Sequence, residues 1–270
     1  MGALNQNVEL IQQIVQKQNT WRKKECINLI ASENVTSPSV DAAYQSDFSH
    51  RYAEGDPGAR FYNGTKYADE IESLAMELAK KVFKTNVANL QVISGTVANF
   101  AALAMFTQAT DTIISNSTSN GGHISHNPYG AAGLLSTNVL NFPVTEDGYH
   151  IDADKTNKLI KTKSSNIRNH LSTLLFGCSM YLFPQPVKEI APTAKENNLK
   201  IIYDAAHVLG LIGGGKFQDP LREGADLVTA STHKTFFGPQ GGIILSNMEE
   251  SQWKKFKGSV FPGVVSNYHL

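Results

Sequence analysis

The chain has 270 residues, enough for a full hydrophobic core in one large domain or two small ones. Its 24 basic and 24 acidic side chains cancel, so there is neither the global basic excess that suits nucleic acid nor an acidic tail. Hydrophobic content is an ordinary 41%, and the longest apolar stretch, around residues 100–106, is far shorter than a membrane span. The N-terminus lacks the basic-then-apolar pattern of a leader. Cys26 and Cys178 form no disulfide framework and no metal pattern, so the expectation is a cytoplasmic protein of a reducing compartment.

Residues 7–21 place Val8, Ile11, Ile14 and Val15 at helical spacing, and the basic cluster Arg22-Lys23-Lys24 ends this arm. So narrow an apolar face predicts packing on another surface, such as a second subunit. Residues 27–64 lack a regular pattern, but their second half is rich in aromatics, which argues for an ordered functional loop. Residues 66–83 predict an amphipathic helix with Ile71, Leu74, Ala75, Leu78 and Val82 on one stripe and Glu72, Lys80 and Lys81 elsewhere. Strands are then predicted over 90–93, 112–114, 171–176 and 200–203, with helices over 97–106 and 187–197. This alternation predicts an α/β fold with a largely parallel sheet and helices on its faces.

The run Ser231-Thr232-His233-Lys234-Thr235 follows one apolar segment, Leu227-Val228, and precedes another, Ile243-Ile244-Leu245. It reads as strand, tight turn, strand, with Lys234 at the turn. A lysine at a strand end can be partly desolvated, which lowers its pKa and frees an amine to attack a carbonyl. Neighbouring hydroxyls suit a phosphate, so the stretch fits a Schiff-base lysine for pyridoxal phosphate. It also fits a surface lysine in a hairpin. Asp204 sits directly after Ile201-Ile202-Tyr203, where ligands bind in open α/β sheets, and could pair with a protonated pyridine nitrogen. The same carboxylate could cap the following turn. Ser94-Gly95-Thr96 lies between a strand and a helix and could cup a phosphate, or be a plain N-cap. Gly121-Gly122-His123 can bring an imidazole close to a ligand. Tyr52, Glu54 and Tyr62 offer two phenols and a carboxylate for proton transfer. The spacings His123-x-x-His126 and Asp204-x-x-His207 also occur at metal sites, but nothing completes a ligand set, and no metal is expected.

The order of these segments resembles serine hydroxymethyltransferase. The resemblance rests on Leu29-Ile30-Ala31-Ser32-Glu33-Asn34, Arg51-Tyr52-Ala53-Glu54-Gly55, Ser94-Gly95-Thr96-Val97-Ala98-Asn99, Gly121-Gly122-His123-Ile124-Ser125-His126, Asp204-Ala205-Ala206-His207, Ser231-Thr232-His233-Lys234-Thr235 and Phe261-Pro262-Gly263. It implies the large domain of a fold type I pyridoxal phosphate-dependent transferase, with an aspartate aminotransferase-like, mostly parallel sheet and helices on both faces. It implies an N-terminal helical arm over 1–28 and a cofactor-binding large domain over 29–270. The C-terminal small domain, which carries the arginine for the substrate carboxylate, is expected to be absent from a chain that stops at Tyr268-His269-Leu270.

The resemblance also implies roles. Lys234 is the Schiff-base lysine, Asp204 pairs with the pyridine nitrogen, His207 bonds near the cofactor's phenolic oxygen, and His123 stacks on the ring. Ser94, Gly95, Thr96 and Ser231 or His233 surround the phosphate, with Gly263 donating from a neighbouring subunit. Ser179 contacts the cofactor oxygen and Ser32 the substrate carboxylate. Tyr52 and Glu54 reach across a homodimer, Glu54 as acid–base group and pterin contact, with Tyr62 nearby. The reaction implied is reversible transfer of the serine hydroxymethyl group to a reduced pterin, giving glycine. Gln240, Phe237 and the ending Val264-Val265-Ser266-Asn267 resemble archaeal members, so the carrier is tetrahydrofolate or a modified pterin. Two other readings stand beside this one: a threonine-type aldolase of the same fold, and a truncated, non-catalytic large domain.

Overall fold

The computed structural model describes residues 2–164 and 170–266; the closing Tyr268-His269-Leu270 lies outside them. The chain divides into two compact units, Met1–Glu33 and Asn34–Leu270. The first unit is built on helix α1 (Gly2–Thr20), followed by a wide helical turn over Trp21–Glu25. The apolar positions Val8, Ile11, Ile14 and Val15 of α1 are all exposed. The basic cluster falls in the wide turn, where Arg22 pairs with Glu33.

The second unit opens with a short helix, α2 (Pro38–Tyr44), capped by Ser37 and started by a proline in its first turn. A two-stranded hairpin, β1 (Gly55–Asp56) with β2 (Ala59–Arg60), follows. Among the described residues the main sheet has seven strands: β3 (Val87–Asn89), β4 (Thr112–Ser115), β5 (Asn138–Asn141), β6 (Leu171–Phe176), β7 (Lys200–Asp204), β8 (Leu227–His233) and β9 (Phe237–Ser246). Their spatial order is β3-β9-β8-β7-β6-β4-β5. The pairs β5/β4, β4/β6, β6/β7 and β7/β8 are parallel, while β8/β9 and β9/β3 are antiparallel.

The central strands are buried on both faces, which is why they read as unbroken apolar runs in the sequence. Their side chains still sort by strand period. Leu174, Phe176, Ile201 and Tyr203 join one apolar layer, and Leu175 and Ile202 join the other. Helices cover both layers. The first receives Ile160 of α6 (Ala153–Ser164) and Val187, Ile190 and Ala194 of α7 (Val187–Glu196), with Leu209 of a short helix over Leu209–Gly213. The second receives α4 (Gly95–Phe106), through Ala98, Ala101, Ala102 and Leu103, Ala132 of the short helix α5 (Ala131–Leu134), and Trp253 of a helix over Glu250–Phe256. The expected α/β fold, with a mostly parallel sheet between helical layers, is the observed one. Among the described residues no helix is long and apolar enough to cross a membrane.

The sequence pattern and the structure differ at three places. The strand read over 90–93 lies earlier, at β3, because the Asn89 side chain accepts from the Gln91 N–H at 3.1 Å and turns the chain there. Helix α3 (Lys66–Phe83) has the expected bounds but the opposite orientation. Its stripe of Ile71, Leu74, Leu78 and Val82 is exposed, and Glu72 is buried. The reason is electrostatic. Arg60, with a side chain 2% exposed, reaches α3 and donates to Asp69 at 2.7 Å and to Glu72 at 2.5 Å. The same guanidinium donates to the carbonyls of Ala53 and Gly55, so one buried side chain ties two carboxylates and two carbonyls together. Finally, β5 and α6 escape the apolar patterning. Strand β5 is an edge strand with no fully buried position, and only Thr156 and Ile160 of α6 are buried.

Replacing Arg60 with methionine strands two carboxylates near the interior. Breaking such a buried arrangement on one side costs about 3–5 kcal/mol, and urea unfolding of Arg60→Met against the parent chain reads this loss directly.

Candidate active site

The carboxyl ends of the parallel strands and the first turn of α4 meet at one cleft. It is lined by Gly95, Thr96, Asn99, His123, Cys178, Asp204, Ala206, His207, Ser231 and Lys234. Seven of the residues expected from sequence, Gly95, Thr96, His123, Asp204, His207, Ser231 and Lys234, therefore converge here from four separate segments. This is the position at which open α/β sheets bind ligands.

One end of the cleft is built for an anion. Ser94 caps α4, its Oγ accepting from the Val97 N–H at 3.2 Å. The first N–H groups of a helix have no intrahelical acceptor, so the amides of Gly95 and Thr96 remain donors beside the buried Ser231. A Cβ at Gly95 would lie 2.5 Å from Ser231 Oγ, and one at Gly242 would lie 2.5 Å from the Ser94 carbonyl oxygen. Only glycine at these two positions lets β8, β9 and the start of α4 close to this distance.

The floor of the cleft is Asp204, the last residue of β7. Its Oδ2 accepts from Asn99 Nδ2 at 2.6 Å and from His126 Nε2 at 3.0 Å, and its Oδ1 accepts from the Ala206 N–H at 2.9 Å. Burial pushes the carboxyl's pKa up, but these donors and the His126 charge outweigh it and hold the value at about 2. The wall above is His123, the N-cap of a short 3-10 turn over Ile124–His126. Its Nδ1 lies 2.7 Å from Ser125 Oγ and accepts from the Ser125 N–H at 3.2 Å, which leaves the proton on Nε2. Burial, opposed by Asp204 and reinforced by His126 and Lys234, lowers the pKa of His123.

Lys234 stands at the turn between β8 and β9, as read from the sequence. Its Nζ lies 3.2 Å from His207 Nε2. Burial lowers the lysine pKa, with Asp204 opposing. Burial, helped by Lys234, pushes His207 down to about 4. The pair is therefore an amine of weakened basicity against an uncharged imidazole at neutral pH. The lysine turn is itself held from outside. A Cβ at Gly210 would come within 2.2 Å of the Thr235 carbonyl oxygen, and Asn34 Nδ2 donates to the Lys234 carbonyl at 2.8 Å.

The other expected residues lie elsewhere. Ser179 is outside the cleft lining; its N–H donates to the Gly121 carbonyl at 2.7 Å and so fixes the loop that carries His123. His233 is half-buried beside Lys234 with its Nδ1 unpartnered among the described residues. Gly263 borders an adjacent apolar cavity with Thr96 and His123 of the same chain. Ser32 belongs to the first unit. Tyr52, Glu54 and Tyr62 form a cluster of their own. The Tyr52 and Tyr62 rings meet edge-on at 5.8 Å, Glu54 Oε1 accepts from Ser266 Oγ at 2.8 Å, and a hydrogen bond to Glu54 raises the Tyr62 phenol. Reading single residues misses Asn99, His126 and Thr229, which surround Asp204, and Tyr181, whose hydroxyl donates to the Asp204 carbonyl at 2.8 Å. The signal for two of them was present, since Asn99 and His126 close the two segments that begin at Ser94 and Gly121.

A family model described as serine hydroxymethyltransferase matches residues 4–267. Proteins named serine hydroxymethyltransferase from Pyrococcus furiosus and Thermococcus gammatolerans are 51% and 53% identical over 95% and 93% of the chain. One from Sulfolobus acidocaldarius is 46% identical over the whole of this chain. The chain spans 59%, 57% and 61% of these relatives, respectively.

The low pKa of His207 has a consequence for stability. An unfolded histidine takes its proton near pH 6.5, the folded one only near 4. The unfolded state thus binds more protons across that window, and stability falls as pH drops from about 6.5 to about 4. His207→Asn is expected to flatten part of this slope, read from urea midpoints at pH 7, 5.5 and 4.5.

Proposed function

The chain belongs to the serine hydroxymethyltransferase family, and from that premise we propose that it supplies the cofactor site for reversible transfer of the serine hydroxymethyl group to a reduced pterin, giving glycine. The family depends on pyridoxal phosphate, and the residues present suit that group. The Gly95–Ser231 approach sets helix amides beside a hydroxyl as donors for a phosphate, an ionised Asp204 faces the cleft, and Lys234 carries an amine of lowered basicity. When bound, pyridoxal phosphate supplies an electron sink for charge developing on the substrate's α-carbon.

The chain's own residues then divide the work. Ser94, Gly95, Thr96 and Ser231 or His233 surround the phosphate, with Gly263 donating from the neighbouring subunit of a homodimer. Asp204 keeps a proton on the pyridine nitrogen, since a carboxylate held near pKa 2 does not take that proton back. His123 covers one face of the ring, and Ser179 fixes its loop. Lys234 would hold the cofactor through its Nζ, and His207, whose Nε2 lies 3.2 Å from that nitrogen, can pass a proton to or from it. Ser32 contacts the substrate carboxylate. In a homodimer, Tyr52, Glu54 and Tyr62 of one chain serve the site of the other, with Glu54 as the acid–base group for the hydroxymethyl carbon and a contact for the pterin, either tetrahydrofolate or a modified archaeal-type carrier.

The observation that carries the proposal is the convergence of Lys234, His207, Asp204 and His123 with a glycine-built anion cradle in one cleft. The test is the visible spectrum of the purified chain with pyridoxal phosphate, followed by borohydride reduction and peptide mapping. A band lost in Lys234→Ala, with the cofactor fixed to the Lys234 peptide, is the expected result; a colourless chain would overturn the reading. A chain that cleaves 3-hydroxy amino acids and ignores added pterin would move the assignment to the aldolase.

A further inference from the structure

Thr229 and Asn99 lie beneath Asp204 and are essentially inaccessible to solvent; Asn99 donates to that carboxylate, while Thr229 has no part in the chemistry described above. Thr229 is on β8, directly opposite Asp204 in the β7/β8 register, and its carbonyl accepts from the Ala205 N–H at 2.7 Å. Its hydroxyl donates to Asn99 Oδ1 at 2.6 Å. Asn99, on α4, sends its Nδ2 to Asp204 Oδ2 at 2.6 Å. The direction of this relay follows from donor chemistry. An ionised carboxylate only accepts, so the asparagine must turn its NH₂ to Asp204, and its oxygen then needs a donor on the far side. An amide flipped by 180° has nearly the same shape but sets oxygen against oxygen at Asp204. Among the described residues the Thr229 hydroxyl is the group seen to donate to Asn99 Oδ1, and it therefore opposes the flip. His126 Nε2, 3.4 Å from the amide nitrogen, points at the same carboxylate oxygen and does not set the amide's orientation.

We propose that Thr229 is a positioning residue for the cofactor: by fixing the Asn99 amide it keeps Asp204 ionised and aimed at the pyridine nitrogen. This rests on the reading that Asp204 meets that nitrogen. A threonine suits the task because branching at Cβ restricts its rotamer, so the hydroxyl is aimed before the cofactor arrives.

The test uses the full chain and two readouts that do not depend on turnover: the pyridoxal phosphate dissociation constant by equilibrium dialysis, and the ¹⁵N resonance of ring-labelled cofactor. Thr229→Val keeps the shape and removes the hydroxyl. It is expected to weaken binding about tenfold, the scale of the Asn99–Asp204 hydrogen bond that loses its orientation, and to move the ring nitrogen toward its unprotonated position. Thr229→Ser returns the donor and is expected to restore both. Asn99→Ala provides a second route to the same loss should the valine variant fold poorly. Asp204→Ala separates the two levels of the argument. If it leaves the nitrogen resonance unmoved, Asp204 does not meet the ring and the underlying reading fails. If it shifts the resonance while Thr229→Val and Asn99→Ala do not, the positioning role of Thr229 is overturned.

Discussion

A carboxylate kept ionised inside the protein is the constraint on which the rest of this site depends. Isolated burial of such a charge costs several kcal/mol or more, and the group would ordinarily escape by taking up a proton. Asp204 does not, because three donors from three segments converge on its two oxygens: Asn99 from α4, His126 from the loop after β4, and the Ala206 N–H from its own turn. Each donor is fixed by an element whose own position is set by the sheet. The parallel register that brings β7 beside β8 also places Thr229 opposite Asp204. The apolar layers therefore aim hydrogen bonds as well as supplying stability.

Close approach is the second requirement, and glycine provides it. The anion end needs the start of α4, the end of β8 and the middle of β9 within contact of one another, and a single Cβ at Gly95 or Gly242 would occupy that space. The lysine turn needs the short helix after β7 to press on the Thr235 backbone, which Gly210 permits. These positions let the segments pack closely, so the proposed phosphate cradle and the Lys234 amine belong to one tightly packed unit before any ligand binds. Preorganisation of this kind spares a binding site the cost of ordering itself.

Much of this was legible in the sequence, for identifiable reasons. Buried parallel strands announce themselves as apolar runs, so β6, β7 and the β8–turn–β9 unit around Lys234 were placed correctly. The cleft residues at strand ends followed from the topology rule for open sheets. The edge strand β5 and the polar helix α6 were not legible, because neither buries enough to leave a pattern. Helix α3 shows the sharper limit. Its amphipathic period gave its bounds but misled about its inner face, since periodicity cannot tell a core-facing stripe from one left open. What decided the matter was Arg60, twelve residues away from Glu72, and no local pattern reports such a pairing. The support around Asp204 was hidden for a similar reason: Asn99 and Thr229 are 130 residues apart and meet only through the fold.

The Arg60 arrangement also bears on how Glu54 is presented. The guanidinium holds the carbonyls on either side of Glu54, those of Ala53 and Gly55, and the Phe61 N–H donates to the Glu54 carbonyl at 3.1 Å. The backbone at Glu54 is thus clamped, while its side chain points to Tyr62 and Ser266 and away from the buried ion pairs. A carboxylate carried on a rigid loop, beside a helix whose apolar stripe is open to solvent, is what a site shared between two chains requires. On the proposed homodimer, the energy to order this loop is supplied within each chain by Arg60, Asp69 and Glu72, so association need only bring two finished surfaces together.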